Sequence, residues 1–175
     1  MYKVAELLAA LDKWAPFSTQ LSYDNSGLLV GEQDASFSKV LVALDITNEV
    51  VDEAIEKGAD LILTHHPLIF KKLASIDTST KQGRILKKLL LHDIQYIAAH
   101  TNIDAAQQGV SFKLGERLGL ESMQIMDQDV QASQKFDKTI GFGVVGELSK
   151  PMNESDFFEH LCSNLGTKAI RYSGS

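Results

Sequence analysis

Three short runs, KVLVALD at 39–45, DLILTH at 60–65 and IQYIAAH at 94–100, are continuously apolar instead of alternating with polar residues. A strand with one wet face alternates with a period of two, so a run without alternation must be covered on both faces. The intervening segments can supply that cover. NEVVDEAIEKGA (48–59) reads as a helix capped by Thr47 and stopped by Gly58, with Glu49 and Asp52 near its positive end. TKQGRILKKLLLHD (80–93) and AQQGVSFKLGERLG (106–119) read as the next two helices, and Val4, Leu7, Leu8 and Leu11 predict an earlier one over 2–14, closed by Pro16. The pattern predicts an α/β fold: a mostly parallel sheet with helices on both faces, built from repeated βα units joined by right-handed crossovers.

Residues 1–120 therefore form an α/β unit, with GLLVG (27–31) as a further short apolar run. The register then changes. Residues 121–138 are rich in Gln and Asp and predict a connecting loop or a weakly ordered edge segment. TIGFGVVGEL (139–148) reads as a strand, NESDFFEHLCSNLG (153–166) as a helix capped by Asn153, and KAIRYSGS from Lys168 as the opening of a last strand. This 121–175 portion either continues the same domain or begins a second half.

Composition removes several function classes. The formal net charge is −6, and no cluster of Lys or Arg exceeds a pair such as Lys71 and Lys72, so the footprint of a nucleic-acid or anionic-membrane binder is missing. No window reaches the roughly 20 apolar residues of a membrane span. Cys162 is the single cysteine, which rules out an intramolecular disulfide and fits a reducing compartment, so the expected location is the cytoplasm.

In a parallel sheet, ligands gather where the strands end and the loops leave for the helices. Here those ends carry Asp45, then His65 and His66, then His100 with Asp104 four residues on. Adjacent strand residues face opposite ways, but at a strand end pinned by Pro67 two imidazoles can diverge toward two ions. Imidazole with carboxylate is the donor set of Zn, Mn, Fe or Ni, and two such ions about 3.5–4 Å apart suit metal-assisted hydrolysis. Other features read as structural: GFGVVG (141–146) opens no helix, His92 faces a helix C-terminus, His160 is a surface helix residue, and Asp24, Asn25 and Gly27 serve a local turn.

Taken in order, YDNSGLLVG, LILTHHPLIF and AAHTNID resemble the GTP cyclohydrolase I type 2 homologue family of dinuclear-metal proteins, from the first helix to about Leu120 and more loosely beyond. Tyr23 stands where that family often has Trp. The resemblance implies that His65 and His66 each bind a metal, that Asp104 is a carboxylate ligand, and that His100 is a ligand or a close partner of one. It also implies assembly as a ring-shaped hexamer, and a second half contributing a His and a metal-bridging Glu, to which nothing after Leu120 corresponds. Two readings follow, a metal-dependent hydrolase of unknown small-molecule substrate or a non-catalytic metal-binding assembly protein, for which the apolar PLIF loop would be a subunit contact.

Overall fold

The computed structural model describes residues 1–173, which fall into two compact units divided between Ile103 and Asp104. In the first, β1 (Tyr2–Lys3) leads into α1 (Val4–Trp14), β2 (Gly27–Val30), β3 (Ser36–Phe37) and β4 (Val40–Ala43). Then come α2 (Asn48–Lys57), β5 (Leu61–Thr64), α3 (Lys81–Leu91), β6 (Gln95–Ala98) and the single turn α4 (Thr101–Asp104), whose last residue begins the second unit. The sheet runs β2-β6-β5-β4, with β4, β5 and β6 parallel and β2 antiparallel to β6. The three continuous apolar runs are thus the three parallel strands.

Both faces of this sheet are covered. Ile62 and Tyr96 pack with Val51 and Ala54 of α2 and with Ile85 and Leu89 of α3. Leu61 and Ile97 pack on the other side with Val4 and Leu11 of α1. Full burial of each large apolar side chain contributes roughly 1.5–3 kcal/mol, which is why the runs cannot afford alternation. The helix ends follow their sequence signals: the Thr47 side chain accepts from Val50 N–H, the Thr80 side chain accepts from Gly83 N–H, and Gly58 takes a left-handed conformation at φ 62°. His92 caps the C-terminus of α3, as its position in the sequence implies. At the edge of the sheet, Val42 of β4 is 72% exposed and Leu44, just beyond its end, 61% exposed.

The second unit departs from the sequence reading in three places. Residues 121–138, expected as a loop or loose edge, hold most of a nine-residue strand, β7 (Leu120–Gln128), and a short helix, α6 (Val130–Phe136). β7 pairs antiparallel with β8 (Gly141–Leu148), and only a few of its side chains, Met123 and Ile125 among them, are partly covered. A ribbon wetted on one face tolerates the polar residues that hide it. The helix expected over 106–119 is shorter, α5 (Val110–Arg117), because Gly109 stands at its N-cap. The strand expected from Lys168 is not formed, since residues 168–173 have no regular structure; its last two residues lie outside the described ones. GFGVVG lies within β8, with Gly143 at φ 68°, and α7 (Glu154–Leu165) is capped by Asn153 as expected, with Cys162 half-buried and free. Among the described residues, no helix is long and apolar enough to cross a membrane.

A candidate metal site at the carboxyl ends of two strands

Thr64 of β5 and Ala98 of β6 are register partners in the parallel pair, so the two chains leave the sheet side by side. His65 and His66 follow from β5, and His100 follows from β6. The separation of neighbouring strands is about 4.8 Å, and it brings one ring nitrogen from each of the three histidines within 4.8 Å of the others. Ring centroids are 5.0 Å apart for His65 and His66, 4.9 Å for His65 and His100, and 5.5 Å for His66 and His100.

Each ring is held the same way. Nδ1 of His65 donates to the Ala99 carbonyl at 3.0 Å, Nδ1 of His66 to Asp45 Oδ1 at 2.8 Å, and Nδ1 of His100 to Asp24 Oδ1 at 2.9 Å. A carbonyl and two carboxylates can only accept, so each Nδ1 must carry the proton. The lone pair of each neutral ring then sits on Nε2. This is the arrangement of metal-binding imidazoles, whose other nitrogen is tied to a carbonyl or carboxylate. The three rings therefore fit a metal ion as their common partner.

The two carboxylates are unequal. Asp45 and His66 form an open pair with side chains 59% and 48% exposed, whereas the Asp24 side chain is wholly buried. Asp24 also accepts from the Thr101 hydroxyl, from Thr101 N–H at 3.0 Å and from Asn25 N–H at 2.7 Å. Burial pushes the Asp24 carboxyl up, but the hydrogen bonds from Thr101, His100 and Asn25 together outweigh it and hold the group below its ordinary value. The local turn expected of Asp24 is only part of its role, because its partners lie 76 and 77 residues away. Asn25 likewise reaches the Ile69 carbonyl, 44 residues on.

Tyr96, fully buried on β6, was also invisible as a site residue. Its hydroxyl accepts from Leu68 N–H at 2.9 Å, and lies 2.8 Å from the Thr64 hydroxyl and 3.1 Å from the His66 carbonyl. Burial holds this phenol above its ordinary value. Asp104 ends α4 four residues beyond His100, and the cluster of close ligand atoms among the described residues consists of the three imidazoles without it. His160 is more than a surface residue, since its Nε2 bonds the Leu118 carbonyl at 2.7 Å. Beside His66 opens a cavity of about 280 Å³, lined by Ile46, Pro67, Leu68 and Ile85 together with Asp45, Lys81 and Gln82.

A family model described as Duf34/NIF3 (NGG1p interacting factor 3) matches residues 2–175. A Clostridium perfringens protein named GTP cyclohydrolase 1 type 2 homolog is 40% identical over 98% of this chain, which spans 64% of that protein. A Staphylococcus aureus protein of the same name is 42% identical over 87% of the chain, which spans 42% of it. Among solved structures, a Staphylococcus aureus hypothetical protein superposes with a TM-score of 0.88 at 36% identity, covering 99% of this chain and 67% of that one. A Bacillus cereus protein related to NIF3 gives a TM-score of 0.86 at 24% identity, covering 98% and 72%.

Proposed function

The chain belongs to the Duf34/NIF3 family, and on that premise we propose that it contributes to a dinuclear divalent-metal site used to hydrolyse a small-molecule substrate. His65, His66 and His100 bind through Nε2, and Asp104 adds a carboxylate. The observation that supports this reading is the common fate of the three Nδ1 atoms, each committed to an acceptor, in rings that bring one nitrogen apiece within 4.8 Å of the others. Four protein ligands fill about half of the eight positions that two tetrahedral ions require. The donor set suits Zn, Mn, Fe or Ni. Divalent ions at such a site supply Lewis acidity and a water acidified toward neutral pH, which is the chemistry of hydrolysis.

The residues of this chain have separable tasks. Asp24 keeps His100 in one tautomer, and Asp45 does the same for His66 from the rim. The cavity beside His66 has the size and partly apolar lining to seat a small organic molecule, with Lys81 among its lining residues to meet an anionic group. A ring-shaped hexamer belongs to the same proposal, with the exposed Val42 of β4 and Leu44 just after it as surface for a neighbouring copy; light scattering on the purified protein reads its mass.

Elemental analysis and calorimetric titration with zinc or manganese test the site. At least one ion per chain is expected, with His65→Ala, His66→Ala and Asp104→Ala each lowering occupancy and His160→Ala leaving it unchanged. No uptake, or the same loss in the His160 variant, would overturn the assignment.

A further inference from the structure

We infer that Tyr96 is a positioning residue for the metal ligands, its hydroxyl clasping the turn that carries His65 and His66 to the strand that carries His100. The inference rests on the metal-binding reading above. A buried phenol is costly unless its hydroxyl is paired, and phenylalanine would fill the same apolar space without that demand. At this position the hydroxyl is fully used. It accepts from Leu68 N–H at 2.9 Å and, with the Thr64 hydroxyl, closes a triangle on the His66 carbonyl: Tyr96 to Thr64 2.8 Å, Tyr96 to His66 3.1 Å, Thr64 to His66 2.9 Å.

Two hydroxyl protons serve these three contacts. In every arrangement that pairs both protons, the His66 carbonyl receives at least one. The turn needs this help because Pro67 has no N–H with which to tie its own backbone. The groups on either side of Pro67, the His66 carbonyl and the Leu68 N–H, are therefore both anchored to one side chain on the neighbouring strand. That strand delivers His100 four residues after Tyr96. Through one side chain, the backbone of the ligand turn is referenced to the strand of the third ligand, so the clasp sets a distance within the site as well as filling the core.

Tyr96→Phe and Thr64→Val test this against Val51→Ala, a truncation in α2 within the same apolar cluster that removes packing but no hydrogen bond of the turn. Two readouts are used: amide hydrogen exchange of the metal-free protein, and titration with cobalt followed by its visible absorption. In Tyr96→Phe, exchange at Leu68 should accelerate more than in the surrounding strands. Its cobalt Kd should rise about 10–100-fold with a shifted band, the range found for groups that orient metal ligands. Thr64→Val should move both readouts the same way and less far, and Val51→Ala should raise exchange across the core without singling out Leu68 and leave the cobalt affinity and band unchanged. Wild-type cobalt affinity and spectrum in Tyr96→Phe would overturn the inference, and so would an equal loss in Val51→Ala. A wild-type chain that takes up no cobalt would overturn the metal reading and this one together.

Discussion

Replacing Asp24 by asparagine should destabilise the metal-free chain by about 3–5 kcal/mol, and the figure can be worked atom by atom. Oδ1 accepts from Asn25 N–H at 2.7 Å and from His100 Nδ1 at 2.9 Å, while Oδ2 accepts from Thr101 N–H at 3.0 Å and from the Thr101 hydroxyl. An amide offers one oxygen and one NH₂. If the NH₂ replaces Oδ2, the Thr101 hydroxyl can rotate, but the Thr101 backbone N–H cannot, and a buried donor left unpaired costs about 1–3 kcal/mol. The two bonds that survive lose the help of the charge, about 1 kcal/mol each. If the NH₂ replaces Oδ1, His100 can change tautomer, but Asn25 N–H is stranded instead. Asp45→Asn is the matched control. Its bond to His66 is as short, at 2.8 Å, yet both side chains are about half exposed, and such a pair contributes about 0–1 kcal/mol. Urea unfolding with a chelator present, at neutral pH, reads both variants as midpoints at unchanged slope. Loss of less than about 1 kcal/mol in Asp24→Asn, or equal loss in the two variants, would refute the claim that burial separates these pairs.

Two further outcomes follow from the structure. Asp60 Oδ2 accepts from Ser38 N–H, the Ser38 hydroxyl and Lys39 N–H, and these bonds, the Ser38 N–H first among them, hold its carboxyl below the ordinary value. Its contribution is therefore complete above the unfolded value of about 4 and is lost as pH falls through the lower folded one. The gap in urea midpoint between wild type and Asp60→Asn should accordingly shrink on acidification below about pH 4, and a constant gap would contradict this. Gly83 lies in the first turn of α3, where an added Cβ would stand 1.9 Å from the Asp77 carbonyl oxygen. Gly83→Ala should cost about 1–3 kcal/mol of overpacking against the roughly 1 kcal/mol gained in helix propensity, and a thermal midpoint above wild type would show that the loop yields freely.

The parallel strands were legible because burial on both faces leaves an unambiguous trace, an apolar run with no alternation, and the cap at Thr47 marks its own helix. The three histidines were legible for the same reason, since parallel strands fix which ends share an edge. Asp24 was not. Its sequence neighbours, Asn25, Ser26 and Gly27, describe a turn, and no local spacing reports that its carboxylate meets His100. Tyr96 was hidden in a different way: in an apolar run a tyrosine and a phenylalanine look alike, and only the fold reveals what the hydroxyl meets. The strand over 120–128 is hidden because a ribbon with so little cover can leave Glu121, Gln124 and Asp127 exposed to water without cost.

The register of β5 against β6 has one more consequence. The ladder between those strands spaces the imidazoles before any ion arrives, and acceptors from the chain itself orient each ring. Small zinc domains that fold only around their ion draw their folding free energy from it. This chain draws its own from apolar cover on a sheet. Under the metal-binding reading proposed above, loss of the ion and loss of structure would thereby be uncoupled, and a depleted chain would keep its receptacle open and be recharged without refolding.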